Sequence, residues 1–217
     1  MADQAALRRA ALAAALLACA ACAGARPAPD LTARAEQEAR HADRAMAAAV
    51  AAGDVEAFLG HVAPDGLFFG ARGPSAGRAA VALSWAPFFA PGGPRLAWDP
   101  DRAVASSSGD LVFTFGRWVL TPPGGGAPAT GGYLTAWRRG ADGLLRVALD
   151  GGDDPLPPLP ASVTRRPLRT PASADGRLVA EGGLLLDGAR EVGWYLRLSR
   201  RAEAGLLPLA EGGAFSP

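Results

Sequence analysis

The sequence predicts an α+β fold in which N-terminal helices pack on a curved antiparallel sheet, followed by a short all-β tail. Three observations carry this expectation. Residues 31–52 contain no Gly or Pro and repeat apolar side chains at spacings of three and four, the period of a helix with one buried face. From Arg95 onward, apolar residues alternate with polar ones in runs of about ten, the period of strands. The 28 glycines and 19 prolines cluster between those runs, where turns need them. With 49% hydrophobic residues the chain can bury a core.

In order along the chain, Ala35, Ala39, Ala42, Met46, Ala49 and Val50 form the apolar stripe of the first helix, with Asp43 at its edge. Gly53 stops that helix, and Asp54 caps a second over Val55 to Val62. Pro64-Asp65-Gly66 reads as a turn before a short strand, Leu67-Phe68-Phe69. Gly77 precedes a third helix from Arg78 to Phe89, disturbed at Pro87. Strands then follow over Arg95–Ala105, Asp110–Thr121, Gly131–Arg139 and Leu144–Leu149. In the second of these Leu111, Phe113, Phe115 and Val119 share one face, and Val112, Thr114, Trp118 and Leu120 the other.

The first 23 residues read as an address. Arg8-Arg9 precedes an apolar run from Ala10 to Ala18, then small residues and Arg26-Pro27, the three parts of a secretory signal. The run is shorter than the about 20 residues that a bilayer-spanning helix needs. Leu16-Leu17-Ala18-Cys19 resembles a lipobox, making Cys19 the candidate lipidation site; Cys22 is a second, and ordinary cleavage after Ala20 or Ala23 competes. The residues around Arg8-Arg9 fit a twin-arginine signal poorly. The expectation is therefore an exported bacterial protein, periplasmic or anchored to the envelope as a lipoprotein. Both cysteines lie in this leader, so the rest of the chain has no disulfide, thiolate nucleophile or cysteine ligand.

Net charge is +1 and all 22 basic residues are Arg. No global field steers the chain toward nucleic acid or an anionic membrane, and none is expected as a partner beyond the N-terminal anchor. The chain lacks a Ser-centred nucleophile elbow, a phosphate loop and a dinucleotide glycine pattern. His41 and His61 have no carboxylate at ligand spacing, and Asp99, Asp101, Asp153 and Asp154 fit no calcium loop. Neither metal nor cofactor is expected.

A series of short motifs resembles a known group. Ala52-Gly53-Asp54, Pro64-Asp65-Gly66 before an aromatic strand, Gly77-Arg78, Ser108-Gly109-Asp110-Leu111, Tyr133 to Arg139, Asp142-Gly143 and Leu149-Asp150 occur in the order and spacing of SnoaL-like domains. Those domains belong to the nuclear transport factor 2-like superfamily. The resemblance implies a cone whose helices and sheet enclose a cavity. The stretch from His41 to Gly152 carries the resemblance, and the expected organisation is leader 1–23, SnoaL-like domain 24–152, Pro-rich linker 153–160 and tail 161–217. Laid onto the ketosteroid isomerase branch, the positions of base, tyrosine and acid fall near Gly70, Met46 and Gly132. None of these moves a proton, so the resemblance does not imply a steroid isomerase of that design.

The tail echoes the sheet. Tyr133-Leu134 and Arg138-Arg139 recur as Tyr195-Leu196 and Arg200-Arg201, Gly143-Leu144-Leu145 as Gly205-Leu206-Leu207, and Gly109-Asp110-Leu111-Val112 as Gly176-Arg177-Leu178-Val179. This reads as a degenerate repeat of the sheet half without helices, needing cover from the first copy or a partner chain.

Candidate pocket residues follow. Facing Phe113 and Phe115 inward also turns Arg117 inward. The resemblance adds Phe69, Trp85 and Asp150. A cavity with these groups is expected to bind a small, largely apolar ligand. An alternative is an assembly module, homodimeric through a sheet face that carries Trp98, Trp118 and Trp137. Another is an isomerase- or cyclase-type enzyme with Asp150 as base and Arg117 stabilising negative charge.

Overall fold

The computed structural model describes residues 30–152, 154 and 156–215, so the leader with Cys19 and Cys22 lies outside the described residues. Helix α1 (Thr32–Ala52) buries the predicted stripe, and it buries Asp43 with it, 1% exposed. Asp30 Oδ1 accepts from the Thr32 amide, 2.9 Å, at its start. Gly53, at φ +74°, ends it in the left-handed conformation that only glycine enters without strain. Asp54 caps α2 (Val55–Gly60), accepting from the Ala57 amide at 2.9 Å.

Strand β1 (Val62–Gly70) starts earlier than expected, because Pro64-Asp65-Gly66 is an irregular stretch of strand and no turn. A Cβ at Gly66 would lie 2.8 Å from the Val147 carbonyl oxygen, so glycine is what allows the neighbouring strand so close. A short β2 (Gly73–Ala76) leads into α3 (Gly77–Phe89). Next come β3 (Arg95–Ala105), β4 (Leu111–Thr121), β5 (Ala129–Arg139) and β6 (Leu145–Gly152). The first sheet runs β2-β1-β6-β5-β4-β3; every pair is antiparallel except β1 with β6, which is parallel.

The tail forms a second, antiparallel sheet from β7 (Val163–Arg169), β8 (Leu178–Asp187), β9 (Arg190–Ala202) and β10 (Gly205–Phe215), in the order β10-β9-β8-β7. This second sheet explains why both faces of β4 are buried. One face of the first sheet packs on the helices around Met46, Phe58, Phe68, Val112 and Trp137. The other packs on the tail, with Leu67, Phe69, Leu111, Phe113 and Leu134 against Leu178, Trp194, Leu196 and Leu198.

One irregularity directs the site. Along β5, Ala136 pairs with Leu149 but Trp137 pairs with Val147, so Ala148 is an extra residue, a β-bulge. Leu145 and Val147 face the helices, while Leu149, past the bulge, joins the layer between the sheets. Strict alternation would have kept Leu149 on the helix side and carried Asp150 into that layer. The bulge turns it to the helix side instead.

Candidate functional site

Between the helices and the first sheet lies a cavity of about 210 Å³. Its apolar wall comes from Met46 on α1, Trp85 and Phe88 on α3, Leu96 and Trp98 on β3, Trp118 and Leu120 on β4, and Trp137 on β5. A second hollow of about 300 Å³ adjoins it and shares Phe69, Trp85, Phe88, Leu96 and Asp150 as wall. Trp85 is the hub of the aromatic side, its ring 4.6 Å from that of Phe58 and 6.0 Å from that of Trp98.

Four polar groups face this space: Asp43, Tyr133, Thr135 and Asp150. They form two linked pairs. Asp43 accepts from the Trp98 indole at 2.7 Å and from the Tyr133 hydroxyl at 2.9 Å. Thr135 and Asp150 stand opposite each other on β5 and β6, with Oγ1 and Oδ1 2.5 Å apart. Behind them the Trp137 indole donates to Thr114 Oγ1 at 2.8 Å.

Burial dominates the electrostatics. It lifts Asp150 to about 7, against the lowering bond from Thr135 and with a smaller push from Asp43. Burial also raises Asp43, although hydrogen bonds from Thr114, Trp98 and Tyr133 oppose it. Burial and the neighbouring Asp43 hold the Tyr133 hydroxyl well above the usual phenol range, so it stays protonated. Chemically the site is an apolar chamber with a narrow polar seam. Asp150, lifted to about 7, changes charge near neutral pH.

The structure separates the residues that the sequence singled out. Trp85 and Asp150 line the cavity. Phe69 borders it, but its ring stacks on Trp194 of the second sheet, 5.1 Å away. Phe113 and Phe115 face the second sheet, and Arg117 is exposed on that same alternate face. They are not pocket residues, because the tail provides a second apolar layer and the Leu111-Phe113-Phe115 face of β4 packs there. Arg117 therefore cannot act with Asp150. Trp98, Trp118 and Trp137, expected on an exposed face for assembly, line the cavity instead. Of the three positions aligned with isomerase groups, Met46 is a cavity wall residue. The sequence reading missed Asp43 and Tyr133. The signal available was the other face of β4, where Thr114, Trp118 and Leu120 alternate, and an acid set on the apolar stripe of α1.

Comparison with known proteins agrees with this geometry. Residues 43–148 match the model of the SnoaL-like domain. This stretch of the chain is a SnoaL-like domain. An NTF2-like protein of unknown function from Pseudomonas putida KT2440 has 18% identity and a TM-score of 0.50, covering 58% of this chain and 90% of that one. The likeness shows the NTF2-like fold of the SnoaL-like domain and nothing of its activity. A ketosteroid isomerase-like protein from Erwinia carotovora atroseptica SCRI1043 has 22% identity, 55% and 98% coverage and a TM-score of 0.44. A domain of unknown function with a cystatin-like fold from Nostoc punctiforme PCC 73102 has 20% identity, 57% and 80% coverage and a TM-score of 0.47. No curated protein matches the chain.

Proposed function

We propose that the SnoaL-like domain binds one small, largely apolar molecule that carries a single polar group. The observation that supports this is the composition of the cavity wall: tryptophans, Phe88 and leucines surround a seam in which the Asp150 carboxyl has Thr135 as its only side-chain partner among the described residues. A buried polar group with unused hydrogen-bonding capacity is a recognition point in an otherwise apolar pocket. Trp85, Trp98 and Trp118 on the wall also provide an optical readout. Chain 30–217 purified from cells is expected to carry a discrete small-mass adduct in native mass spectrometry. Titration with Nile red should quench tryptophan fluorescence. Leu96→Trp, which fills the chamber from an edge strand, is expected to weaken Nile red binding at least tenfold. A clean apo protein that leaves Nile red unbound would refute a ligand chamber.

A catalytic reading rests on Asp150 alone, a carboxyl near neutral pKa at the cavity wall. It gains no support from Arg117, which is exposed on the other face. If it holds, Asp150→Asn abolishes turnover of the bound molecule while leaving its affinity within about threefold.

We also propose that the protein is exported and held at the envelope through Cys19. The support is the charged, apolar and small-residue order of the leader and its Leu16-Leu17-Ala18-Cys19 run. Cys19→Ala is expected to abolish incorporation of labelled palmitate and to move the protein from the membrane to the soluble fraction. Label lost only in Cys22→Ala would place the anchor there, and label in no variant would mean ordinary cleavage.

A further inference from the structure

We infer that residues 163–215 are a second copy of strands β3–β6 that serves as the built-in partner of the first. On this reading the chain carries its own two-fold-related sheet pair and is a monomer in solution. The match to the SnoaL-like model ends at residue 148, so that comparison does not account for this segment.

The argument begins with register. In β3 and β4, Gly116 pairs with Pro100 and Phe115 with Arg102, leaving Asp101 as a bulge. In β7 and β8, Gly183 pairs with Pro167 and Gly182 with Arg169, leaving Leu168 as a bulge at the same place. Both glycines are there for one reason. A Cβ at Gly116 would lie 2.1 Å from the Asp99 carbonyl oxygen, and one at Gly183 would lie 2.2 Å from that of Arg166. The second bulge recurs as well. Ala148 is extra between Val147 and Leu149, and Leu209 is extra between Pro208 and Ala210, opposite equivalent residues of β5 and β9. An ordinary meander has no need to place two bulges at matching positions, so a common origin accounts for them.

The turns match bond for bond. The Ser106 amide donates to the Leu111 carbonyl and the Gly109 amide to Ser106; the Ser173 amide donates to Leu178 and the Gly176 amide to Ser173. Arg139 closes the first turn, its amide on the Asp110 carbonyl and its Nε on that of Gly109 at 2.9 Å. Arg201 closes the second, its amide on Arg177 and its Nε on Gly176 at 3.0 Å.

The two copies meet reciprocally. The Ser107 amide donates to Asp175 in the second turn, 3.2 Å, and the Ala174 amide donates to Asp110 in the first, 2.6 Å. Ser107 and Ala174 are equivalent positions, so each turn's second amide is held by the other turn's carboxylate. The exchange is two-fold in its donors, while the acceptors differ by two places, since Asp175 aligns with Ser108 and Asp110 with Arg177. Leu111, Phe113, Leu134 and Ala136 share one apolar layer with their own equivalents Leu178, Ala180, Leu196 and Leu198.

The second copy has no helices, and its outer face has changed accordingly. The cavity pair Thr135–Asp150 is replaced by Arg197 donating to Glu211 at 2.9 Å. Where the first copy has Thr114, the second has Glu181, which accepts from Tyr195 at 2.8 Å. Charged pairs suit a face open to water. The molecule thus keeps one chamber and spends the other half of the pair on covering the first sheet, which leaves that face closed to a second chain.

Chain 30–217 holds every described element and can be tested directly. Sedimentation velocity from 1 to 100 µM is expected to show one species at monomer mass. A dimer that dissociates on dilution would overturn the inference. Leu196→Asp should raise amide exchange in β4, β5 and β6 of the first copy at least tenfold, through loss of their cover, and should induce self-association. If that variant does not accumulate folded, Leu196→Ala should give the same pattern more weakly. Unchanged exchange in β4–β6 with either variant would show that the tail is not their partner.

Discussion

Asp150→Asn is expected to make the protein more stable at pH 8 and to flatten its stability profile between pH 4 and 7. The sign follows from linkage. Asp150 has its folded pKa raised to about 7 from 3.8, so between those values the folded state holds a proton that the unfolded state has lost. The contribution is fully present below about pH 4, declines as pH rises and is gone above about pH 7. Asn keeps the size of the side chain and can still bond Thr135, but it never pays for ionisation. A gain of roughly 1–3 kcal/mol at pH 8 is expected, the order of a desolvated carboxylate with one hydrogen-bond partner. Urea unfolding of both proteins at pH 5 and pH 8 measures it. A residual slope is expected from Asp43, which is raised in the same sense. A variant less stable than the parent at pH 8 would mean that the carboxylate is stabilised by contacts other than Thr135.

Asp43→Ala should do the opposite. It removes the acceptor for the Trp98 indole and the Tyr133 hydroxyl, two donors that water reaches poorly beside the aromatic wall. Leaving buried donors unsatisfied costs about 1–3 kcal/mol each. A loss of roughly 2–4 kcal/mol is expected, with Asp43→Asn losing about half as much because its amide oxygen keeps one donor. Denaturant midpoints give the comparison, and near-ultraviolet circular dichroism should show the indole of Trp98 losing its fixed environment. If Asp43→Ala unfolds at the same denaturant concentration as the parent, the seam contributes no stability and its residues serve only the cavity.

The helices and strands were legible because their periods differ. The stripe from Ala35 to Val50 and the alternation in Asp110–Thr121 each have one structural reading. Which face of β4 meets the cavity was not legible, since two apolar layers flank the sheet and alternation marks both faces as buried. Facing Phe113 and Phe115 inward then misplaced both of them and, through alternation, Arg117. The irregular stretch at Pro64-Asp65-Gly66 was hidden because those residue types also make turns, and only the close approach to Val147 distinguishes the two. Asp43 was hidden by its charge: an acid on the edge of an apolar stripe reads as solvent-facing until Trp98 and Tyr133, distant in sequence, are brought to it. Asp150 entered through the resemblance, since a one-residue bulge leaves no trace in the hydrophobic pattern.

That bulge leaves the acid of the chamber insensitive to the loss of one codon. Without Ala148, Val147 and Leu149 would stand consecutively opposite Trp137 and Ala136, an unbroken ladder in which Asp150 keeps its place opposite Thr135 at the cavity wall. A lineage could thus shorten β6 by this one residue without turning the carboxylate into the layer against Trp194 and Leu196.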